Sequence, residues 1–264
     1  MKETKIKCKT ALSKSNLPGL KYSLNPYRGC GHNCAYCYVP NVLHIKRGKW
    51  GSFLDIKENI PRVLSEELRS KEKGHVGIST VTDPYQPAEK KHKLTRYCLE
   101  QLLIHDFPIN IQTKSNVVTR DKDLISNFSN AELMLSIATL DDNERKILEP
   151  YSSSIKERVN VLEEFKKADI KKSVFLGPIY PSLDEARIKE MMDVFSDLKV
   201  SKVMIDDFNF KPGIWDNVYN KIYENKQLLE GFKRLIQDKK YYTNFKSIIY
   251  EQAKDKNMTV VNAF

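Results

Sequence analysis

The sequence has few cysteines outside one short stretch, and it has no long apolar run. Three of its five cysteines lie between residues 30 and 37, so that only Cys8 and Cys98 remain for any pairing elsewhere. No apolar run approaches the ~20 residues that a membrane-spanning helix requires. The first fifteen residues, MKETKIKCKTALSKS, lack the apolar segment of a signal peptide. These absences predict no membrane association and favour a cytoplasmic protein in a reducing compartment.

Acidic residues are scarce in the first fifty positions. This stretch has ten Lys or Arg and one acid, Glu3, whereas the remaining 214 residues carry 34 basic and 33 acidic side chains. The excess positive charge therefore surrounds the cysteine-rich stretch. A basic tail in solvent would explain this pattern, and so would a surface that docks a polyanion. Nucleic acid, bound through residues 1–50, is accordingly one predicted partner.

Three cysteines, Cys30, Cys34 and Cys37, have the spacing CxxxCxxC. Thiolates this close along the chain can surround one soft metal ion or one iron–sulfur cluster. A zinc site would use the three thiols and His32, but zinc modules usually add a second ligand doublet, which the sequence lacks. A cluster held by three thiolates leaves one iron open to a small chelating ligand. Ligand count and spacing therefore favour the cluster over zinc.

The remainder of the chain alternates between apolar strands and helices. Predicted strand centres after the cysteines are 24 to 39 residues apart, which is the length of a βα unit and implies a parallel sheet. With a strand at 22–25, this makes six βα units. Periodicity alone fits either a doubly wound sheet or a barrel. The predicted helices cover residues 35–43, 59–72, 90–105, 120–128, parts of 143–168, and 183–197.

Polar side chains follow each predicted strand. Ser79–Asp83, Gln112–Ser115 and Ser136–Thr139 end three successive strands, and Asp206–Asn209 ends the last. Because the carboxyl ends of parallel strands meet at one edge, these groups are expected to face the cysteine loop. Each Ser or Thr taken singly is equally explained as a helix cap. The set as a whole predicts a polar site at that edge.

The cysteine motif, with the aromatic Tyr36 before its last cysteine, resembles the radical S-adenosylmethionine (SAM) superfamily. Further segments resemble the spore photoproduct lyase-like branch, often described as DNA repair photolyase-like: Asn25–Tyr38, STVTDPYQPAE at Ser79–Glu89, Gln112–Ser115 and Phe175–Pro181. The resemblance implies an α/β fold of the partial (β/α)6 barrel type over residues 22–210. A basic N-terminal arm (1–21) and a C-terminal helical extension packed on the barrel (211–264) would complete the chain.

The resemblance also implies cofactors and chemistry. A [4Fe-4S] cluster would reductively cleave SAM to a 5′-deoxyadenosyl radical, which abstracts hydrogen from a substrate. An external one-electron reductant of the flavodoxin or ferredoxin type would supply the electron. No further CxxC is present, so no auxiliary cluster is expected. The alternatives are a radical SAM enzyme for a small molecule or peptide, and a zinc-knuckle nucleic-acid-binding protein without catalysis.

Site roles are implied only where positions match. Cys30, Cys34 and Cys37 would bind the cluster. Cofactor contacts would come from Tyr36, Thr80, Thr82, Asp83, Lys114 and Ser136, with Lys114 pairing with the SAM carboxylate. Tyr38 would lie on the path of the substrate radical. Thr80 stands where spore photoproduct lyase has its hydrogen-donating cysteine, and this departure puts the lyase reaction itself in question.

Overall fold

The computed structural model describes residues 1–238 and 240–263, and it alternates short strands with helices. The strands are β1 (Lys2–Ile6), β2 (Leu12–Lys14), β3 (Tyr22–Leu24), β4 (Tyr27–Arg28), β5 (Phe53–Lys57), β6 (Val76–Ile78), β7 (Ile109–Thr113), β8 (Ala131–Ser136), β9 (Lys171–Leu176), β10 (Lys202–Ile205) and β11 (Thr259–Asn262). Apolar segments such as Val76–Ile78, in which all three residues are buried, are the type of sequence that a sheet buried on both faces requires.

The helices lie mostly between successive strands. They are α1 (Val39–Val42), α2 (Ile60–Leu68), α3 (Glu89–His92), α4 (Leu94–Ile104), α5 (Lys122–Ile125), α6 (Asp142–Leu148), α7 (Ile155–Glu164), α8 (Glu185–Asp197), α9 (Ile214–Ile222), α10 (Lys226–Gln237) and α11 (Tyr241–Lys254). The longer helices turn an apolar stripe toward the sheet, as Ile188, Met191, Met192 and Phe195 do in α8. None of the described helices is both long and apolar enough to cross a membrane.

One large sheet forms the centre of the molecule, in the order β11-β10-β9-β8-β7-β6-β3-β2. Neighbouring strands from β3 to β11 run parallel, and β2 joins β3 antiparallel. The edge strands β2 and β11 do not pair with each other, so the sheet stays open. The predicted α/β partial barrel is confirmed. Strand β11 adds a parallel strand that the sequence did not reveal.

Several predicted helices are shortened or divided in the structure. The helix expected at 35–43 is confined to α1, since the Ala35 amide donates to the Leu148 carbonyl (2.8 Å) and the Ala35 carbonyl accepts from Asn217. The helix expected at 90–105 is divided into α3 and α4 at Lys93, which has a positive φ of 52°. The helix expected at 120–128 is confined to α5, which directly follows a 3₁₀ turn over Asn116–Asp121.

Residues 1–21 do not extend into solvent as an arm. Strand β1 pairs in parallel with β5, and β5 pairs with β4, which leads directly into the cysteine loop. Further on, the amides of Ala11 and Leu12 donate to the Glu67 carboxylate (3.1 and 2.8 Å), and both side chains are buried. The basic N-terminal segment is therefore part of the fold. The boundaries at 22–210 and 211–264 stay predictions.

Candidate radical SAM site

A cavity of about 660 Å³ lies inside the partial barrel, and its lining includes residues at the carboxyl ends of the strands. Its lining includes every residue that the sequence assigned to the site: Cys30, Cys34, Tyr36, Cys37, Tyr38, Thr80, Thr82, Asp83, Lys114 and Ser136. These residues come from the cysteine loop and from the ends of β6, β7 and β8. The topology of parallel strands is what brings such distant positions together.

The cysteine loop requires glycine at position 29. Gly29 has φ of 97°, and a Cβ there would lie 2.5 Å from the Phe53 carbonyl oxygen. The Thr82 hydroxyl donates to the Gly29 carbonyl (2.6 Å), and the buried Gln86 amide donates to Thr82 Oγ1 (2.9 Å) while accepting from the Gly31 amide (2.8 Å). Thr82 and Gln86 thus fix the backbone around Cys30. The sequence pointed to Thr82 but not to Gln86.

Burial shapes the chemistry of the three thiols. It raises the pKa of Cys30 to about 12, with the Asp83 carboxylate as the next cause. Burial also raises the pKa of Cys34 and of Cys37, and the Lys114 charge opposes that rise at both. Neutral thiols are therefore favoured in the free protein. Because metals bind the thiolate, cluster insertion must displace these protons.

Asp83 anchors the ends of two strands rather than pointing freely at a ligand. Its Oδ1 accepts from the Thr113 hydroxyl (2.7 Å), its Oδ2 accepts from the Lys114 amide (2.8 Å), and His32 Nδ1 lies 3.3 Å from Oδ2. Burial tends to raise the pKa of Asp83, but the imidazole of His32 and these hydrogen bonds outweigh it and hold the pKa at about 2. The ionised carboxylate positions Lys114.

The Lys114 ammonium faces the cavity beside the cysteine loop. Its Nζ lies 5.8 Å from the Tyr36 ring centroid, and in the described part of the chain no carboxylate oxygen lies within 4 Å of it. The Tyr36 hydroxyl donates to Glu149, which forms a buried ion pair with Arg158. Lys114 is therefore a cation without a partner of its own at this edge of the sheet.

The buried Glu149–Arg158 ion pair supports the cysteine loop through the hydroxyl of Tyr36. Burial tends to raise the pKa of Glu149, but the charges of Arg158 and Lys114 and the Tyr36 hydroxyl outweigh it and lower the pKa to about 2. Arg158 Nη1 also donates to the Ser136 carbonyl (2.7 Å). Sequence analysis did not predict Glu149 or Arg158. Both lie more than a hundred positions from Tyr36, and no sequence spacing links residues so far apart.

Hydroxyl groups along the cavity are open to a ligand. Ser79, buried and held at φ of 64°, has an Oγ with no hydrogen-bond partner among the described residues. Ser136 Oγ likewise makes no hydrogen bond to the described part of the chain, whereas Thr80 is bound to Asn25 through its amide (3.0 Å) and its hydroxyl (3.4 Å). A buried, unpaired hydroxyl is costly unless something in the cavity satisfies it.

The mouth of the cavity carries both an aromatic ring and an acid. Lys211 Nζ lies 5.4 Å from the Tyr38 ring centroid. Burial and the neighbouring Asp207 raise the pKa of Asp206 to about 6, and Asp207 itself pairs with Lys246 of α11 (2.8 Å). The end of β10 therefore presents a carboxyl group whose pKa is raised to about 6.

Helix α11 holds the loops at the far side of the cavity. The Tyr242 hydroxyl accepts from the Phe208 amide (3.0 Å) and donates to the Ile179 carbonyl (3.2 Å), and the Tyr241 hydroxyl donates to the Pro181 carbonyl (2.7 Å). The hydroxyls of both tyrosines therefore bind the backbone of the fold.

Comparison with known proteins identifies the family of this chain. The profile of the radical SAM superfamily matches residues 24–195, which include the cysteine loop and the ends of β6 to β9. The chain belongs to the radical SAM superfamily. An uncharacterized protein of Methanocaldococcus jannaschii is 38% identical over 180 residues, covering 68% of each chain.

This radical SAM enzyme has the fold of spore photoproduct lyase. A mutant of that lyase superposes with a TM-score of 0.74 at 13% identity, covering 99% of this chain and 82% of the other. Another mutant, with bound SAM and dinucleoside spore photoproduct, gives 0.67 at 14% identity, covering 96% and 78%. At this identity the likeness concerns the fold. The zinc-knuckle alternative is set aside by the superfamily match.

The residues present fit the cofactors that the superfamily implies. Three thiols line one cavity together with a cation and two hydroxyls, Ser79 and Ser136, that lack partners in the described chain. Soft thiolates suit iron–sulfur clusters, and an ammonium group suits a carboxylate. Both the cluster and SAM therefore have matching side chains in this cavity.

Proposed function

We propose that this chain is a SAM-dependent radical enzyme whose cluster is bound by Cys30, Cys34 and Cys37 and whose substrate is a component of nucleic acid. The observation that carries the proposal is the convergence of the three thiols and Lys114 on one cavity in a radical SAM fold. When bound, the reduced cluster and SAM supply a 5′-deoxyadenosyl radical. We further propose a reducing, cytoplasmic setting.

The chain's own residues bind and orient these groups. The Lys114 ammonium would pair with the SAM carboxylate, and Ser136 and Ser79 would donate hydrogen bonds to its polar parts. Thr82, Gln86 and Asp83 would act as positioning residues, because their polar groups are bound to the loop backbone and to strand ends. Tyr36 would lie beside the adenine while its hydroxyl stays on Glu149. Tyr38 at the mouth would face the substrate.

Two features support nucleic acid as the substrate class. The fold neighbour was solved with a dinucleoside photoproduct, and cations stand at the mouth of this cavity. Lys211 lies on Tyr38, and Arg47 binds Asn41 of α1 (2.8 Å). Such cations attract phosphates without reading sequence.

Product analysis tests the proposal. Anaerobically reconstituted protein is incubated with SAM, dithionite and either ultraviolet-irradiated DNA or cellular RNA. We expect about four iron atoms per chain, as a [4Fe-4S] site requires, slow formation of 5′-deoxyadenosine, and a changed nucleoside. Cleavage of SAM without any nucleoside product would move the substrate to a small molecule or peptide. Stoichiometric zinc without sulfide would refute the cluster.

A further inference from the structure

We infer that a basic patch behind the cysteine loop is the docking surface for an acidic one-electron carrier protein of the flavodoxin class. The patch consists of exposed lysines from two chain segments: Lys5, Lys7, Lys90, Lys91 and Lys93. The inference rests on the proposed function, since it concerns delivery of the electron that this chemistry needs. It assigns part of the N-terminal positive charge to a protein partner and not to nucleic acid.

Both segments of the basic patch border the turn that contains Cys30. A Cβ on Gly31 would lie 3.4 Å from Met1 Cε and 3.4 Å from Pro87 Cδ. The two segments also contact each other, because the Glu3 carboxylate pairs with Lys91 (3.2 Å) and His92 (3.0 Å). A protein seated on the patch would therefore lie against the cysteine loop.

Acidic neighbours do not neutralise the basic patch. Glu3 is shared between Lys91 and His92, Glu58 pairs with Lys5 (3.8 Å), and Glu89 is fully buried against Arg120. Within residues 1–238 and 240–263, the other three lysines of the patch have no carboxylate oxygen within 4 Å: Lys7, Lys90 and Lys93. A cluster of unpaired cations favours a partner with an acidic surface.

The basic patch lies outside the cavity. The residues that line the cavity include all three cysteines of the loop but no residue of β1, β4 or β5 and no lysine of the patch. A substrate has to enter the cavity, whereas an electron carrier only has to approach the loop from outside. The position therefore favours the carrier over nucleic acid. In the transfer, flavodoxin hydroquinone loses one electron and becomes the semiquinone, and the cluster gains that electron.

Charge reversal tests the inference with a direct binding measurement. The patch variant carries Lys7→Glu, Lys90→Glu and Lys93→Glu, and a control variant with the same charge change carries Lys156→Glu, Lys167→Glu and Lys189→Glu on the outer surface around α7 and α8. All six side chains are exposed and unpaired in the described chain. Binding of oxidised flavodoxin is measured by calorimetry at two salt concentrations, and cluster reduction is followed by electron paramagnetic resonance.

We expect the patch variant to bind flavodoxin at least about tenfold more weakly than the control variant, with a shallower dependence on salt. Its reduction by flavodoxin hydroquinone should slow, while reduction by dithionite stays unchanged. Equal flavodoxin affinity in the two variants would overturn the inference. So would a loss of affinity for a DNA oligonucleotide in the patch variant alone, with flavodoxin binding intact. If dithionite fails to yield 5′-deoxyadenosine even with the unaltered protein, the proposed function fails, and flavodoxin binding still decides the docking surface.

Discussion

Two cavity-lining side chains of opposite charge, Lys114 and Asp206, are the residues whose chemistry can be tested most directly. Lys114 has no carboxylate partner in the described chain, and Asp206 is a partly buried acid beside a second acid. An anionic ligand group would give Lys114 a charge partner. A cationic or hydrogen-bond-donating group would stabilise the ionised carboxylate of Asp206. A raised carboxyl pKa such as that of Asp206 is common at functional sites.

Replacing Lys114 by alanine should weaken SAM binding. The loss of one charge-assisted contact is worth roughly 1.5–3 kcal/mol, which corresponds to about a tenfold to 150-fold rise in the dissociation constant. Equilibrium dialysis with labelled SAM on reconstituted protein measures it. Lys122→Ala is the control, because Lys122 lies over the Phe165 ring, 5.9 Å from its centroid, and does not line the cavity. Unchanged SAM affinity in Lys114→Ala would assign the carboxylate to another partner.

Replacing Asp206 by asparagine should change how stability depends on pH. Folding raises the Asp206 pKa from its ordinary value of 3.8 to about 6, so the native state binds this proton more tightly than the unfolded state. The resulting stability is present below pH 4 and is lost as the pH rises through 6. After screening by solvent the effect is roughly 1–2 kcal/mol.

Urea unfolding of both proteins under anaerobic conditions, at pH 4.5 and pH 7.5, measures this effect of Asp206. We expect Asp206→Asn to be the more stable protein at pH 7.5 and to lose that advantage at pH 4.5. A constant difference between the two proteins across this range would show that Asp206 does not titrate there.

At the scale of elements, the cysteine loop depends on its neighbours more than on its own sequence. The Phe53 carbonyl of strand β5 lies close to Gly29. The Gln86 side chain forms hydrogen bonds to the backbone on either side of Cys30. Glu149 holds Tyr36 from the opposite side. Contacts with β5, Gln86 and Glu149 therefore help to fix the shape of the loop.

Replacing Gly29 by alanine should impair cluster assembly. The added Cβ would meet the Phe53 carbonyl oxygen at 2.5 Å, and φ of 97° is unfavourable for any residue with a side chain. The loop backbone must shift, and iron retained per chain after anaerobic purification should fall by more than half. Gly48→Ala is the matched control, because a Cβ at Gly48 has no neighbour within 4 Å. Full iron content in Gly29→Ala would mean that the turn adapts without cost.

At the scale of the whole molecule, the basic N-terminal segment (residues 1–21) is part of the folded structure and also carries positive charge. It supplies β1 and β2 and buries Ala11 and Leu12. Removing it therefore alters more than electrostatics, and charge reversal is the cleaner way to examine binding.

Deletion of residues 1–21 should destabilise the protein. Burial of Leu12 alone is worth about 1.5–3 kcal/mol, and each lost hydrogen bond of β1, β2 and the Glu67 contacts adds about 0.5–1.5 kcal/mol, so a total loss above about 3 kcal/mol is expected. Urea unfolding measures it. The variant with Lys7→Glu, Lys90→Glu and Lys93→Glu, which keeps both strands, should unfold close to the unaltered protein. Equal stability of the deleted and intact chains would make the segment dispensable.

The sequence alone was enough to predict the parallel α/β fold, the three-cysteine motif and, through the family resemblance, ten of the residues that line the cavity. Repeated βα spacing forces strand ends to one edge, and a CxxxCxxC motif is local, so both can be read without coordinates. Only the tertiary structure showed that Gln86, Glu149 and Arg158 support the loop and that β1 and β11 join sheets. Such contacts join residues far apart in the chain, and no local pattern records which partner a buried polar group or an edge strand will find.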